Sequence, residues 1–126
     1  MEFINADKAP AAIGPYAPAV RAGNLCFFSG QVPFHPETGE VVGKNIREQS
    51  RQALTNLQSI LEAGKLQITD LAQTTIYLSN MDDFSDFNEV YAEFMGTHRP
   101  ARSCVEVSRL PHDVLVEITA IAVKEQ

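Results

Sequence analysis

The sequence contains no tryptophan, and of its 126 residues only two are cysteine and three are histidine. Cys26 and Cys104 fall in separate apolar segments, a placement that does not indicate a disulfide framework. Scattered histidines without a paired-cysteine motif do not favour a zinc site. No glycine-rich phosphate loop occurs, because Gly14 and Gly30 each stand alone. We therefore expect neither a metal nor a cofactor.

Basic residues are scarce as well. Lysine and arginine total 10 against 16 aspartates and glutamates, which gives a formal net charge of −6. No run of basic residues supplies the patch that nucleic-acid binders carry, so the charge balance argues against nucleic acid as a partner. Small anionic ligands remain compatible with the sequence, because one buried arginine can outweigh a weakly acidic surface locally.

Long apolar runs are missing too. No stretch approaches the roughly 18 apolar residues that a membrane-spanning helix requires. Residues 1–5 lack the basic region and apolar run of a secretory signal peptide. We expect a cytoplasmic protein without a membrane partner. The length and a hydrophobic content of 44% predict a single domain over residues 1–126.

The patterns that are present predict the element order β-β-α-β-α-β-β after an irregular segment at residues 1–16. Asn45 is the expected N-cap of the first helix, with Glu48 completing a capping pair and Gly64 ending the helix. The predicted elements are strands 18–21 and 25–32 joined by a Gly23-Asn24 turn, helix 46–63, strand 73–79, a helix from 82 or 83 to about 95, and strands 100–107 and 114–124.

This order predicts an α+β fold, a mixed sheet with two helices on one face. The last predicted strand, 114–124, is apolar on both of its faces, whereas the two helices cover only one face of the sheet. An exposed apolar face of that size usually indicates a partner. The simplest arrangement is a symmetric homo-oligomer in which the sheets pack inward.

A charged cluster is expected on the last two strands. If they form an antiparallel hairpin, Cys104 lies opposite Glu117, and Arg102 is one diagonal step away on the same face. A carboxylate in a doubly apolar strand is costly unless it is paired. Two interpretations stay open: a structural Arg–Glu pair, or an anion site where Arg102 holds a carboxylate and Glu117 acts on a water.

Other candidates carry weaker signals. Cys104 could be a nucleophile only with a histidine beside it, and His98 and His112 both fall in predicted loops. A small buried cysteine is the commoner case. Gly30, inside a strand pattern, indicates a bulge or a close approach to the backbone.

Four motifs occur in order along the chain. They are Ile13-Gly14-Pro15-Tyr16, Phe28-Ser29-Gly30-Gln31-Val32-Pro33, Pro100-Ala101-Arg102-Ser103-Cys104-Val105-Glu106-Val107 and Arg109-Leu110-Pro111-His112-Asp113-Val114. Together they closely resemble the RidA/YjgF family of reactive intermediate deaminases, also known as endoribonuclease L-PSP or translation-inhibitor proteins. The resemblance covers essentially the full chain. It implies a chorismate-mutase-like fold and a homotrimer with ligand clefts between subunits.

The resemblance also implies an activity and its residues. Family members hydrolyse imines or enamines shed by pyridoxal-phosphate enzymes, such as 2-aminoacrylate, to 2-keto acids and ammonia. Arg102 would clamp the substrate carboxylate, and Glu117 would orient and activate the water. The other pocket residues would be Tyr16, Ser29, Gly30, Asn88 and Cys104. The loop before Pro100 is a few residues shorter than in some members, which bears on the cleft rim and substrate preference.

Two other functions stay open. One is an endoribonuclease or translation inhibitor, against which the acidic balance and sparse basic residues count. The other is a non-catalytic module that senses a keto acid through Arg102. Glu117 discriminates between sensor and enzyme, because simple binding does not require it.

Overall fold

The computed structural model describes residues 1–124. The strands and helices are β1 Glu2–Ile4, β2 Ala19–Ala22, β3 Leu25–Gln31, α1 Ile46–Ala63, β4 Leu71–Leu78, α2 Phe84–Met95, β5 Ala101–Glu106 and β6 Val116–Val123. The predicted element order is confirmed, with one addition: β1 lies in the segment expected to be irregular. Neither helix in the described part of the chain combines the length and apolar character needed to cross a membrane.

The strands form one mixed sheet in the order β1-β2-β3-β6-β4-β5. Every neighbouring pair is antiparallel except β4 and β5, which run parallel. Helix α2 connects these two strands. A parallel pair requires such a crossover, because the end of the first strand and the start of the second lie at opposite ends of the strands. The β2–β3 hairpin turns at Gly23, whose φ of 63° belongs to the left-handed region that a tight turn uses.

Helix α1 begins and ends where the capping pattern predicts. The Asn45 side chain accepts a hydrogen bond from the Glu48 amide at 2.9 Å, which satisfies one free donor of the first turn. The Glu48 carboxylate accepts from the Lys44 amide, one residue before the predicted partner. At the other end, the Gly64 amide donates to the Ile60 carbonyl.

The core lies between the sheet and the two helices. The aromatic stripe of α2 contributes Phe87 and Tyr91 to it, and both are buried as predicted. The Tyr91 hydroxyl forms a 2.7 Å hydrogen bond with Thr74 of β4, which places α2 on the same sheet face as the buried side chains of β4. Helix α1 packs on β3 and β6 from this side. Both helices therefore cover one face, in agreement with the predicted α+β layers.

The predicted hairpin of the last two strands is wrong. Strand β4 lies between β5 and β6, with Ile76 level with Cys104 on one side and with Ile118 on the other. Glu117 is thus displaced by one residue from its predicted position opposite Cys104. A one-residue shift moves a side chain to the other face of a sheet. Arg102 and Cys104 share the helix-covered face, whereas Glu117 points to the open face.

The open face of the sheet carries exposed apolar side chains, with Gln73, Thr75 and Thr119 between them. Phe3, Phe27 and Val105 remain 68%, 43% and 43% exposed there. Ile121 and Val123 of β6 lie on this face and are only half-buried. The predicted uncovered apolar face is therefore present in the single chain.

Candidate functional site

Glu117 and Gly30 form one half of the candidate site. Strand β3 contains an extra residue where it pairs with β6, between Phe28 and Gln31, and this bulge includes Gly30. A Cβ atom at Gly30 would lie 2.7 Å from Cδ of Glu117, closer than side chains approach. The bulge and the missing side chain therefore make room for the carboxylate, and both readings of Gly30 from its sequence pattern are confirmed.

The Glu117 carboxyl group is half-buried and uncompensated. No side-chain hydrogen bond or salt bridge reaches it from any residue between 1 and 124. Burial raises its pKa above the ordinary value for glutamate, because loss of water disfavours the charged form. A carboxyl with a raised pKa holds a proton more readily, which suits a group that must both accept and return one.

Tyr16 and Ser29 lie beside Gly30. The Ser29 hydroxyl donates to the Ala17 carbonyl at 2.6 Å, which ties the segment before β2 to the bulge. The Tyr16 hydroxyl accepts a hydrogen bond from the Ile13 amide, and Tyr16 and Gly30 line the same small cavity of about 30 Å³. Tyr16, Ser29, Gly30 and Glu117 thus come together, and we call them the carboxylate half-site.

Arg102 belongs to a second group at the β5 edge of the sheet. Its Nη1 donates to the Asn88 side-chain oxygen at 2.7 Å, and its guanidinium lies 5.0 Å from the Tyr91 ring centroid and 5.5 Å from that of Phe84. These contacts fix the plane of the guanidinium but use one of its nitrogen atoms for hydrogen bonding. The Nε and Nη2 donors remain available for a ligand carboxylate.

Cys104 follows Arg102 on the same face of β5 and is half-buried. Burial raises the pKa of its thiol, and the nearby Arg102 charge opposes that effect. A raised pKa leaves little thiolate at neutral pH, which counts against a nucleophilic role. His98 does not activate the thiol, because its Nε2 lies 2.7 Å from the Leu71 carbonyl oxygen and forms a hydrogen bond there. Arg102, Asn88 and Cys104 form what we call the arginine half-site.

The two half-sites are apart in one chain. Arg102 is level with Thr74 and Ala120, whereas Glu117 is level with Tyr77, so the groups differ by three residues along the strands and by two strand positions across them. With strands about 4.8 Å apart and about 3.3 Å per residue, their backbones are about 14 Å apart, and their side chains point to opposite faces. A structural Arg102–Glu117 pair within one chain is excluded.

Comparison with known proteins agrees with this arrangement of motifs. The family model for Endoribonuclease L-PSP matches residues 6–124. A RutC family protein of Pyrococcus horikoshii is 52% identical, with 98% of each chain covered. The 2-iminobutanoate/2-iminopropanoate deaminase of Escherichia coli K12 is 47% identical, with 96% of each covered. The chain belongs to the RidA/YjgF family, also called the L-PSP family.

A solved structure in this family shows the same fold. That of E. coli TdcF with bound serine superposes with a TM-score of 0.95 at 41% identity, covering 99% of this chain and 100% of that one. The mixed sheet and helix layer described above are thus shared with that structure, and the sequence resemblance is confirmed.

The described range 1–124 contains no cluster of metal-ligand residues.

Two buried polar side chains of α1, which the hydrophobic periodicity did not reveal, form hydrogen bonds to the backbone near the site. Asn56 of α1 is fully buried and donates to the Val32 and Phe34 carbonyls, just beyond the bulge. Gln49 accepts from the Leu115 amide at 2.8 Å, two residues before Glu117. Both are polar residues on the apolar stripe of a helix, which is the signal that could have identified them.

Gly30→Ala tests the contact with Glu117. The added methyl group must displace the carboxylate, and we expect a loss of about 1–3 kcal/mol in the free energy of unfolding, as for other overpacked sites. Urea denaturation at fixed protein concentration measures it. In a Glu117→Ala background the same change should cost far less, because the clashing atoms are gone. An equal loss in both backgrounds would contradict the proposed contact.

Glu117→Gln tests the effect of burial. Because the native pKa of Glu117 is raised, this group binds more protons in the native state than in the unfolded state, and its contribution to stability falls as pH rises from about 4.3 through the native pKa. The glutamine variant should therefore be the more stable protein at pH 7, and its advantage should vanish at pH below about 4. Unfolding free energies at several pH values provide the measurement. Glu62→Gln, a change at an exposed residue of α1, is the control. The quantity compared is the difference in unfolding free energy between each variant and wild type. If this difference is equally independent of pH for both variants, the prediction is contradicted.

Proposed function

We propose that this protein is a hydrolase of 2-imino acids, converting 2-iminobutanoate, 2-iminopropanoate and their enamine forms to 2-keto acids and ammonia. Such imines are released by pyridoxal-phosphate enzymes. The observation that carries the proposal is the pair of half-sites: an arginine with free donors, and an uncompensated carboxyl with a raised pKa. The 47% identity to the E. coli deaminase of this name supports it.

Arg102 is the proposed carboxylate clamp. Its guanidinium is planar and can form two parallel hydrogen bonds to a carboxylate, a geometry that lysine cannot reproduce. Asn88 holds one side of the group, and the Tyr91 ring supports its face, so little conformational freedom remains to be lost when the ligand binds. The clamp would fix the position of the adjacent imine carbon.

Glu117 is the proposed group that acts on water. The oxygen of a water held by the carboxylate adds to the electrophilic imine carbon, and a water proton passes to Glu117. The nitrogen takes up that proton, which gives a carbinolamine. Glu117 then transfers the carbinolamine hydroxyl proton to the nitrogen, the carbon–nitrogen bond breaks, ammonia leaves, and the carbonyl of the keto acid forms. The balance is one imine and one water to one keto acid and one ammonia. No covalent enzyme intermediate is needed in this sequence of steps.

The two half-sites would meet between subunits. Arg102 and Glu117 face opposite sides of one sheet, so a common cleft requires the arginine half-site of one chain and the carboxylate half-site of another. The open apolar face, with Phe27 and Val105 exposed, is the surface that a second copy would cover. We propose a homotrimer, in which each interface joins unlike surfaces and closes into a ring.

RNA cleavage is the second candidate, because the matching family model carries an endoribonuclease name. An RNA site needs cations that neutralise several phosphates. The chain has a net charge of −6, and its arginines Arg21, Arg47 and Arg109 form salt bridges with carboxylates. These charges favour a small carboxylate ligand over a polyanion.

The direct test generates an imine with an amino-acid oxidase acting on 2-aminobutyrate or alanine, and follows keto-acid release. Added protein should accelerate it. Arg102→Lys should lower kcat/KM about ten- to a hundredfold, the value of a lost charge-assisted hydrogen bond. Glu117→Gln should lower kcat while leaving keto-acid binding largely intact. Arg51→Lys, at an exposed position of α1, is the matched control. If the protein binds the keto acid but does not accelerate its release from the imine, the function is that of a sensor and not of an enzyme.

A mixing experiment tests the shared cleft. Arg102→Ala and Glu117→Gln are each expected to be inactive, but subunits exchanged at equal ratio should recover about a quarter of wild-type activity, because that fraction of head-to-tail interfaces combines two intact half-sites. Light scattering should give a trimer mass for all proteins. A stable monomer, or an exchanged mixture without recovered activity, would contradict the intersubunit cleft.

A further inference from the structure

Arg99 is a second arginine beside the clamp. It precedes β5 by two residues and lines the same surface depression as Arg102, with a volume of about 260 Å³. The other residues that line it are Asn88, Tyr91, Ala92 and Pro100. None of these residues is acidic, so the depression contains two positive charges and no negative charge.

Arg99 has a fixed position and unused donors. Its Nη1 donates to the carbonyls of Gly96 at 2.7 Å and His98 at 2.9 Å, just beyond the C-terminal end of α2. A cation is favoured at that end of a helix, where carbonyl groups point outward. Within residues 1–124, its Nε and Nη2 form no hydrogen bond, so they are available to an anion.

The charges of both guanidinium groups affect the hydroxyl of Tyr91. The pKa of the Tyr91 hydroxyl is raised by burial, and the positive charges of Arg102 and Arg99 both oppose that rise. Tyr91 also supports the Arg102 guanidinium through its ring. The tyrosine therefore lies near both cations at the wall of the depression.

Arg99 and Arg102 differ from the salt-bridged basic residues of the chain. The protein has a net charge of −6, and the salt bridges of its described residues involve Arg21, Arg47, Arg109 and Lys124. Arg99 and Arg102 take part in none of them. Two like charges in one small depression repel each other unless an anion lies between them, and one monocarboxylate engages only one forked guanidinium fully.

We propose that Arg99 is a specificity-determining residue that binds the distal carboxylate of dicarboxylic 2-imino acids of four or five carbons, while Arg102 binds the carboxylate next to the imine. This rests on the proposed function and names its substrate class. Residues 99 and 102 are separated by at most about 10 Å of extended chain, and the flexible arginine side chains can converge on a ligand of that length. A residue at the rim of the cleft would thereby select the substrate side chain.

The test compares hydrolysis of the imine of glutamate with that of 2-aminobutyrate, each generated by an amino-acid oxidase. In Arg99→Ala, the ratio of the two kcat/KM values, dicarboxylic over monocarboxylic, should fall about threefold to tenfold; Arg99 is exposed, which places the effect between a surface pair and a buried one. Arg99→Lys should retain part of the preference. Arg99→Gln, which keeps a donor for the Gly96 carbonyl, should lose it and guards against a folding defect.

Two measurements make the outcome decisive. Arg51→Ala removes an equal charge from an exposed position on α1 outside the depression, and its ratio should equal that of wild type. Calorimetric binding of 2-oxoglutarate against 2-oxobutanoate should show the same loss of preference in Arg99→Ala without relying on turnover. An unchanged ratio in Arg99→Ala, with the monocarboxylic imine still hydrolysed, overturns the role of Arg99 and leaves the proposed function intact. If the wild-type protein hydrolyses neither imine, both the role of Arg99 and the proposed function are overturned.

Discussion

The position of β6 between β3 and β4 is the constraint on which the candidate site depends. Its two-residue alternation directs Ile118 and Ala120 into the core below the helices and directs Glu117 to the opposite face. The bulge in β3 then brings Gly30 under the carboxylate. Because β6 is held by backbone hydrogen bonds on both sides, Glu117 cannot move to the helix-covered face without breaking the centre of the sheet.

Arg102 lies under the opposite constraint. Strand β5 is the edge of the sheet, so Arg102 reaches solvent beside α2, where it contacts Asn88 and Tyr91. That position leaves donors of Arg102 free, whereas an arginine in the middle of the sheet would need a buried partner. The edge also exposes backbone groups, and a second chain seated there would cover them. The chain thus presents Arg102 and Glu117 on opposite faces of its sheet.

The burial of Glu117 illustrates a conflict between stability and chemistry. An uncompensated carboxyl that is half-buried destabilises the charged native state, and the same burial raises its pKa toward the range useful for proton transfer. The polar supports at Asn56 and Gln49 hold the backbone around it through hydrogen bonds from α1. Under the proposed function, this local cost lies on the group that accepts and returns the proton.

The sequence by itself determined the elements other than β1, the two-sided character of β6 and the family. Caps at Asn45 and Gly64 delimit α1, and alternation delimits the strands, because capping and alternation act between residues close together in the chain. Only the tertiary structure decided which strands are neighbours. β5, which follows α2 in the chain, pairs with β4 and not with β6. This pairing, together with a register one residue away from the predicted one, separates Arg102 from Glu117. Periodicity records which face of a strand is apolar, but pairing and register depend on contacts between distant segments, which a local pattern does not contain.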